Sequence, residues 1–370
     1  MELLQHISLA EFTSFKIGGK ADYFCRAQSV DELKEALAFA KEQSLPFFIL
    51  GGGTNMLLSD DGFRGLVIKI EIKNSPLEGS TPTQVGGRDV LIAVDAGENW
   101  DEFVAETVAR GLWGLENLSG IPGTVGGAPV QNIGAYGSEV KDVVLLVEVL
   151  DVKTGKIKKL SDTECCFGYR DSIFKKPEGK NFIITRVAFL LRKDGKPNLS
   201  YKDLAVYFAG KPVPSLADIR RAVLEIRSRK FPDLKTHGTA GSFFKNPIIS
   251  KEKFDELKKC YPGLPGFTID ERHQMFEANP ASSAGRRRGD NIGGRSLVKV
   301  PLAWILDNIC GLKGFQRGSV SLWKDQPLVL VNDGGASASD ISALADKVTR
   351  IVKEKTGIQI EKEVQTAPDV

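Results

Sequence analysis

The sequence predicts an α+β protein of two or three domains, on three observations. The chain has 370 residues, against about 150 for a typical domain. A small unit of helix and strands opens it, a long strand-rich stretch fills the middle, and a helix-bearing unit closes it. Its 38 glycines gather in two clusters rather than spreading through turns. At 42% hydrophobic and 26% charged the composition is globular, and a chain of this length can bury a core without staples. Fifty basic and 47 acidic residues leave a formal charge of +3, too little to argue for nucleic acid or an acidic membrane.

The elements follow in order. Residues 30–40, VDELKEALAFA, place Leu33, Ala36, Leu37 and Ala40 on one helical face. FFIL (47–50) reads as a buried strand, GGGTN (51–55) as a glycine turn and GFRGLVIKI (62–70) as a second strand. The polar stretch 73–88 reads as a linker or loose hairpin. VLIAVDAG (90–97) is a strand. ENWDEFVAETVARG (98–111) is a helix with Trp100, Phe103, Val104, Thr107 and Val108 on one side and Gly111 as its stop. Two strands joined by a KTGK turn and a third, NFIITRVAFLLRK (181–193), complete the middle. A helix over 216–232 stops at Pro232. The closing unit holds KEKFDELKKC and LAWILDNIC as helices, PLVLVN as a strand and a capped helix over 339–357. There Ile341, Leu344, Ala345, Val348, Ile351 and Val352 form the stripe and Gly357 the stop. IQIEKEV (358–364) reads as a last strand, and 277–296 as a long, mobile surface loop.

Several chemistries are excluded early. Five irregularly spaced cysteines argue against a disulfide scaffold, and adjacent Cys165 and Cys166 do not make a thioredoxin-like pair. His6, His237 and His273 are too dispersed for a zinc motif, so no metal is expected. The start lacks the pattern of a signal peptide, and no apolar run nears the roughly 18 residues of a membrane span. A cytoplasmic protein without membrane insertion is expected.

Neither glycine cluster is a GxGxxG opening a helix or a P-loop. Gly51, Gly52 and Gly53 alone fit a tight turn as well as a pyrophosphate nest. The second cluster, GLENLSGIPGTVGGAPVQNIGAYGSEV (114–140), is long and poor in side chains able to fill a core. Ordering such a loop is costly. A large flat cofactor, held by backbone donors, gives it a purpose.

At this point the residues carry a resemblance. The chain resembles the UDP-N-acetylenolpyruvoylglucosamine reductase family in TSFKIGGKADYF, PFFILGGGTNMLLSD, GLENLSGIPGTVGGAPVQNIGAYGSE, CCFGYRDSIFK, LSYKDL, GSFFKNP, GLKGFQRG and IEKEV. These strings stand in the family's order from about Phe12 to Gln365. LSYKDL resembles the longer subtype, in which a tyrosine loop covers the substrate. The resemblance implies a flavin-binding fold of the vanillyl-alcohol-oxidase type with a separate α/β substrate-binding domain. It also implies that the last strand returns to the N-terminal part. Residues 1–75 with 358–370 then form one flavin-binding part, 76–226 the second, and 227–357 the substrate-binding domain.

The resemblance further implies FAD, NADPH as co-substrate, and reduction of UDP-N-acetylenolpyruvoylglucosamine to UDP-N-acetylmuramate for peptidoglycan; with no histidine or cysteine from 98 to 138, the FAD is expected to be non-covalent. Ser242 matches the proton donor, Arg170 the arginine at the substrate carboxylate, and Glu363 the catalytic glutamate, with Glu361 as a rival in IEKEV. Gln365 departs from a basic residue at that place in the family. Gly51, Gly52, Gly53, Thr54, Asn55, Gly123, Thr124, Gly126, Gln131, Asn132 and Gly134 are expected to bind the flavin. Tyr169, Tyr201, Arg227, Lys230, Asn246, Lys299 and Lys313 are expected at the substrate. A monomer that binds no nucleic acid is expected. The competing readings are an FAD-dependent alcohol or sugar oxidase of the same broad fold, and a non-enzymatic nucleotide- or nucleic-acid-binding module using GRRRGDNIGGR.

Overall fold

A computed structural model describes residues 1–73, 83–85, 87–269 and 296–367. Apart from Ser296, the loop expected over 277–296 lies outside the described residues. The chain divides into two compact units. The first comprises Met1–Ile7, Ala21–Gly53 and Arg64–Ser228; the second comprises Ser8–Lys20, Thr54–Phe63 and Arg229–Val370. The GGGTN motif therefore changes unit after Gly53. Both stretches expected as flavin-binding parts contribute to the first unit, and 358–367 groups with the second.

Among the described residues the first unit holds two larger sheets and a two-stranded one, Gly134–Ala135 with Ser138–Glu139. One has four strands in the order Leu3–Ser8, Lys20–Ala27, Phe63–Ile70 and Phe47–Leu50, the last two parallel. Its helix, Val30–Glu42, starts where the Ser29 side chain accepts from the Glu32 N–H, and buries Leu33, Ala36 and Ala40. The other is antiparallel, in the order Lys156–Ser161, Val144–Asp151, Phe182–Arg192, Asp89–Asp95 and Thr83–Val85. Exposed Lys156, Lys158 and Lys159 line its outer strand, a placement that discourages edge pairing. Asn99 caps the helix Trp100–Ala109. Trp100, Phe103 and Phe189 pack tilted or edge-on with centroids 5.0–6.1 Å apart, and the Trp100 indole donates to Leu118 O at 3.0 Å. That bond fixes the start of the glycine-rich loop to the core.

The second unit is organised by the helix Ala338–Thr356, with a Ser337–Asp340 capping box and Gly357 in the left-handed conformation at its end. Asp60, the last residue of GGGTNMLLSD, adds a carboxylate at the same N-terminus. It accepts from Ala338 N at 2.8 Å and Ser339 N at 3.2 Å, where the helix dipole favours negative charge. Strand Gln365–Ala367 runs parallel to Met56–Leu58.

Three elements differ from expectation. In 358–364 only Lys362 bridges, to Phe244, and regular pairing waits until Gln365. Phe243 O takes both the Glu363 and Val364 N–H groups, which interrupts an even ladder. PLVLVN becomes strand only at Leu330–Asn332, because Val329 N closes a turn on Gln326 O. LAWILDNIC is one α-turn, Leu302–Trp304, running into a π-helical segment, Ile305–Ile309.

Candidate active site

In the first unit the two glycine clusters meet backbone to backbone. A Cβ added to Gly52 would stand 2.8 Å from Gly123 Cα, and one on Gly126 would stand 2.6 Å from Ala96 Cβ. Real Cβ atoms do not approach that closely, so both positions require glycine. Gly51 faces Thr124, whose Oγ1 would be 3.3 Å from an added Cβ. The loop is pinned by Gly126 N to Ala96 O at 2.9 Å, Val125 N to Glu98 O at 2.9 Å and Trp100 N to Gly123 O at 3.1 Å. Thr124 Oγ1 also accepts from Gly127 N at 3.3 Å. The result is a rigid frame of closely packed main chain, glycine-rich as nucleotide-binding loops are. These residues fit a dinucleotide cofactor. Gln131 is half-buried in the continuation of the same loop.

Arg170, Asn132 and Gly134 come together beside it. The Arg170 guanidinium donates to Gly134 O at 2.6 Å and to Asn132 O at 3.5 Å, and lies 5.5 Å from the Tyr169 ring centroid. A Cβ at Gly134 would stand 2.9 Å from the Arg170 guanidinium, so a side chain there would displace the arginine. Asn132 is fully buried: its amide donates to Glu139 Oε2 and Gly168 O, each at 2.9 Å, and its Oδ1 accepts from Lys141 N at 3.1 Å. Its side chain thus shapes the loop from inside. Arg170 and Asn132 both take positive φ, 55° and 47°, a conformation uncommon outside glycine.

A third group in this unit surrounds Arg227. Tyr201 is 43% exposed and meets the buried Tyr136 edge-on, with centroids 5.3 Å apart. Arg227 donates to the Tyr136 hydroxyl; burial pushes that phenol up to about 12 and lowers the half-buried guanidinium. Asp101 takes both arms of Arg220, at 2.6 and 2.9 Å, and accepts from Gly120 N. Burial works to raise the Asp101 pKa, but Arg220 and the Gly120 N–H outweigh it and hold the carboxyl below its ordinary range.

In the second unit the backbone ladder sets the register of GSFFKNP. Ser242 bridges Val329, and Phe243 N donates to Leu328 O at 2.8 Å. Glu363 N donates to Phe243 O at 2.8 Å, so Glu363 lies one residue from Ser242 across the ladder. Asn55 clamps the same place: its side chain donates to Glu363 O at 3.3 Å, and its O accepts from Gln365 N at 3.1 Å. Among the described residues nothing hydrogen-bonds the Ser242 hydroxyl. Glu361, the rival acid, is 74% exposed and paired with Lys245 at 3.1 Å. Asn246 Oδ1 accepts from Leu302 N at 2.9 Å, and Lys299 pairs in the adjacent strand with Ile248. Half-buried Lys230 ends the helix Leu216–Lys230. Lys313 stands apart, in an exposed pair with Asp307 at 3.2 Å.

Reading the sequence missed Tyr136, Asn117 and Asp101. The one available signal was Tyr136, a lone aromatic between Gly134 and Gly137 in NIGAYG.

The fold and this main-chain surface define a FAD-binding protein. Residues 21–161 match the FAD binding domain family, and residues 233–367 match the family described as UDP-N-acetylenolpyruvoylglucosamine reductase, C-terminal domain. The UDP-N-acetylenolpyruvoylglucosamine reductase of Photobacterium profundum is 38% identical over 365 residues, 99% of this chain and 96% of that protein. The one from Flavobacterium johnsoniae is 38% identical over 367 residues, 98% of this chain and 99% of that protein. A crystal structure of the Thermus caldophilus enzyme superposes with a TM-score of 0.64 at 24% identity, covering 99% of this chain and 98% of that one. The chain belongs to the UDP-N-acetylenolpyruvoylglucosamine reductase family. Among the described residues no helix is long and apolar enough to cross a membrane, and no cluster of His, Cys, Asp or Glu is placed to hold a metal ion.

Proposed function

We propose that this chain reduces UDP-N-acetylenolpyruvoylglucosamine to UDP-N-acetylmuramate with NADPH and non-covalent FAD, supplying peptidoglycan synthesis in the cytoplasm as a monomer. The observation that supports the reading is the backbone register that brings Glu363 within one residue of Ser242, in a chain whose two glycine clusters pack main chain on main chain. When bound, FAD would supply the two-electron hydride chemistry that links NADPH to the enolpyruvyl methylene carbon. Gly51, Gly52, Gly53, Gly123, Thr124 and Gly126 would hold it, with Gln131, Asn132 and Gly134 extending that part of the first unit; Thr54 and Asn55 follow Gly53 in the chain.

The chain's own residues handle charge and proton. The carbon beside the methylene gathers negative charge that spreads into its carboxylate, and a proton must reach that carbon. Ser242 donates it: a hydroxyl is a weak acid, but it serves a strongly basic carbon when already aligned. Its backbone is fixed by the bridge to Val329, which supports that role. Arg170 sets a fixed cationic fork at the carboxylate, and Glu363 hydrogen-bonds or protonates at the same intermediate. Tyr169, Tyr201, Arg227, Lys230, Asn246, Lys299 and Lys313 bind the UDP-sugar.

An anaerobic assay in two steps tests this. NADPH is expected to bleach the flavin, and the UDP-sugar to restore its colour. Bleaching that the sugar does not reverse, or oxygen-linked turnover of simple alcohols, would favour the oxidase reading. Acid precipitation should leave the flavin in solution.

A further inference from the structure

We infer that Tyr136 is a positioning residue for capture of the UDP-sugar, holding Arg227 through its hydroxyl and Tyr201 through its ring. This deepens the function proposed above and rests on it. Tyr136 takes φ +49°, a strained conformation for a bulky residue that persists only where its surroundings enforce it. They do. Tyr136 O accepts from Asn117 Nδ2 at 2.8 Å, and the same amide donates to Asn198 O at 2.9 Å. Asn198 Nδ2 returns to Gly137 O at 2.9 Å. The turn carrying Tyr136 is therefore tied to a point three residues before Tyr201.

The side chain uses that fixed backbone in two directions. Its ring meets Tyr201 at 79°, and its hydroxyl accepts from Arg227. The Arg227 stem is confined from another side by Gly120, whose added Cβ would stand 3.2 Å from Arg227 Cδ. Tyr136 is 7% exposed, so burial alone would explain an aromatic ring but not the hydroxyl bonded to a guanidinium. The two groups it holds are a cation and an exposed aromatic with a hydroxyl, a pair suited to a sugar diphosphate.

Tyr136→Phe keeps the ring and removes the acceptor. The test compares it with the unaltered holoenzyme, whose turnover of NADPH with the UDP-sugar checks the functional reading independently. The expected result is a KM for the UDP-sugar raised about five- to tenfold, with kcat changed less than about twofold. Flavin content, melting temperature and the NADPH half-reaction should be unchanged. In an Arg227→Met background the same substitution should add less than about twofold, because the two act as one unit. A crystal structure of Tyr136→Phe, which needs no substrate, should show Arg227 displaced and Tyr201 in place. An unchanged KM, additive effects with Arg227→Met, or Arg227 unmoved in the crystal would each overturn the assignment.

Discussion

The glycine surface of the first unit and the Ser242–Glu363 ladder of the second are built by opposite means. In the first, side chains are absent where they would collide: Gly52 against Gly123, and Gly126 against Ala96. What remains is main chain packed on main chain in a rigid frame. In the second, ordinary side chains gain their meaning from register. Ser242 and Glu363 are 121 positions apart in the chain, and the bond from Glu363 N–H to Phe243 O brings their backbones within one residue of each other. A surface made by omission tolerates no addition. One made by register tolerates changes at neighbouring positions but not at the few that carry chemistry.

The largest effect should therefore come from the smallest chemical change. Ser242→Ala removes one oxygen and leaves the ladder intact, since its bridge to Val329 is main chain. Flavin reduction by NADPH should stay near normal. Reoxidation of the reduced flavin by the UDP-sugar should slow by about 10²- to 10⁴-fold, the usual worth of a positioned proton donor. Stopped-flow absorbance reads both steps. Glu361→Gln, two residues from Glu363, should leave them nearly unchanged, since it breaks only an exposed pair with Lys245. Equal losses in Glu361→Gln and Glu363→Gln would show that the register argument is wrong.

Tyr201→Phe probes a side-chain contact that lies in the first unit. The loss of one hydrogen bond to a charged phosphate is worth about 1.5–3 kcal/mol, so KM for the UDP-sugar should rise roughly ten- to a hundredfold. The ring and its edge contact with Tyr136 remain, so melting temperature should not move. Slowing of the NADPH half-reaction with unchanged affinity for the sugar would remove Tyr201 from the substrate.

Gly126→Val adds bulk to the surface made by omission. The nearest obstacle is Ala96 Cβ at 2.6 Å, with Ala96 O at 3.0 Å behind it, and neither is the end of a flexible chain. Overpacking of this kind costs about 1–3 kcal/mol. The purified protein should carry less flavin, read from visible against ultraviolet absorbance, and melt earlier. Full flavin content would mean that the cofactor does not need that loop in its present position.

How much of this was legible depended on which means was used. The need for glycine shows in composition, so the cluster at 114–140 pointed to a bound cofactor before any fold was known. The helices at Val30–Glu42 and Ala338–Thr356 were equally plain, because apolar spacing and caps agree. Register leaves no such trace. IEKEV offers two acids at equivalent alternation, and only the Phe243 and Asn55 bonds separate the clamped Glu363 from the exposed Glu361. The motif resemblance supplied Ser242, whose type and neighbours would otherwise suit a turn. Tyr136 and Asp101 were missed because their partners, Arg227 and Arg220, lie about 90 and 120 positions away, beyond any local pattern.

Asp101 lies wholly within the first unit, and it gives the smallest effect. Its carboxylate holds the glycine loop at the Gly120 N–H while gripping Arg220 from the helix Leu216–Lys230. Since the folded state holds its pKa below the unfolded value, the unfolded chain binds its proton first as pH falls. The stabilisation is thus complete above the unfolded value near 3.9 and is lost as pH falls from there through the depressed folded value. The Asp101 side chain is 33% exposed and that of Arg220 17%, so solvent screening limits the contribution. About 1 kcal/mol is expected, or some 2–4 °C in melting temperature. Asp101→Asn should show that deficit evenly from pH 5 to 8, and the gap to the unaltered protein should close below about pH 4. A gap that widened on acidification would mean that burial dominates at this carboxyl and that Arg220 does not hold it charged.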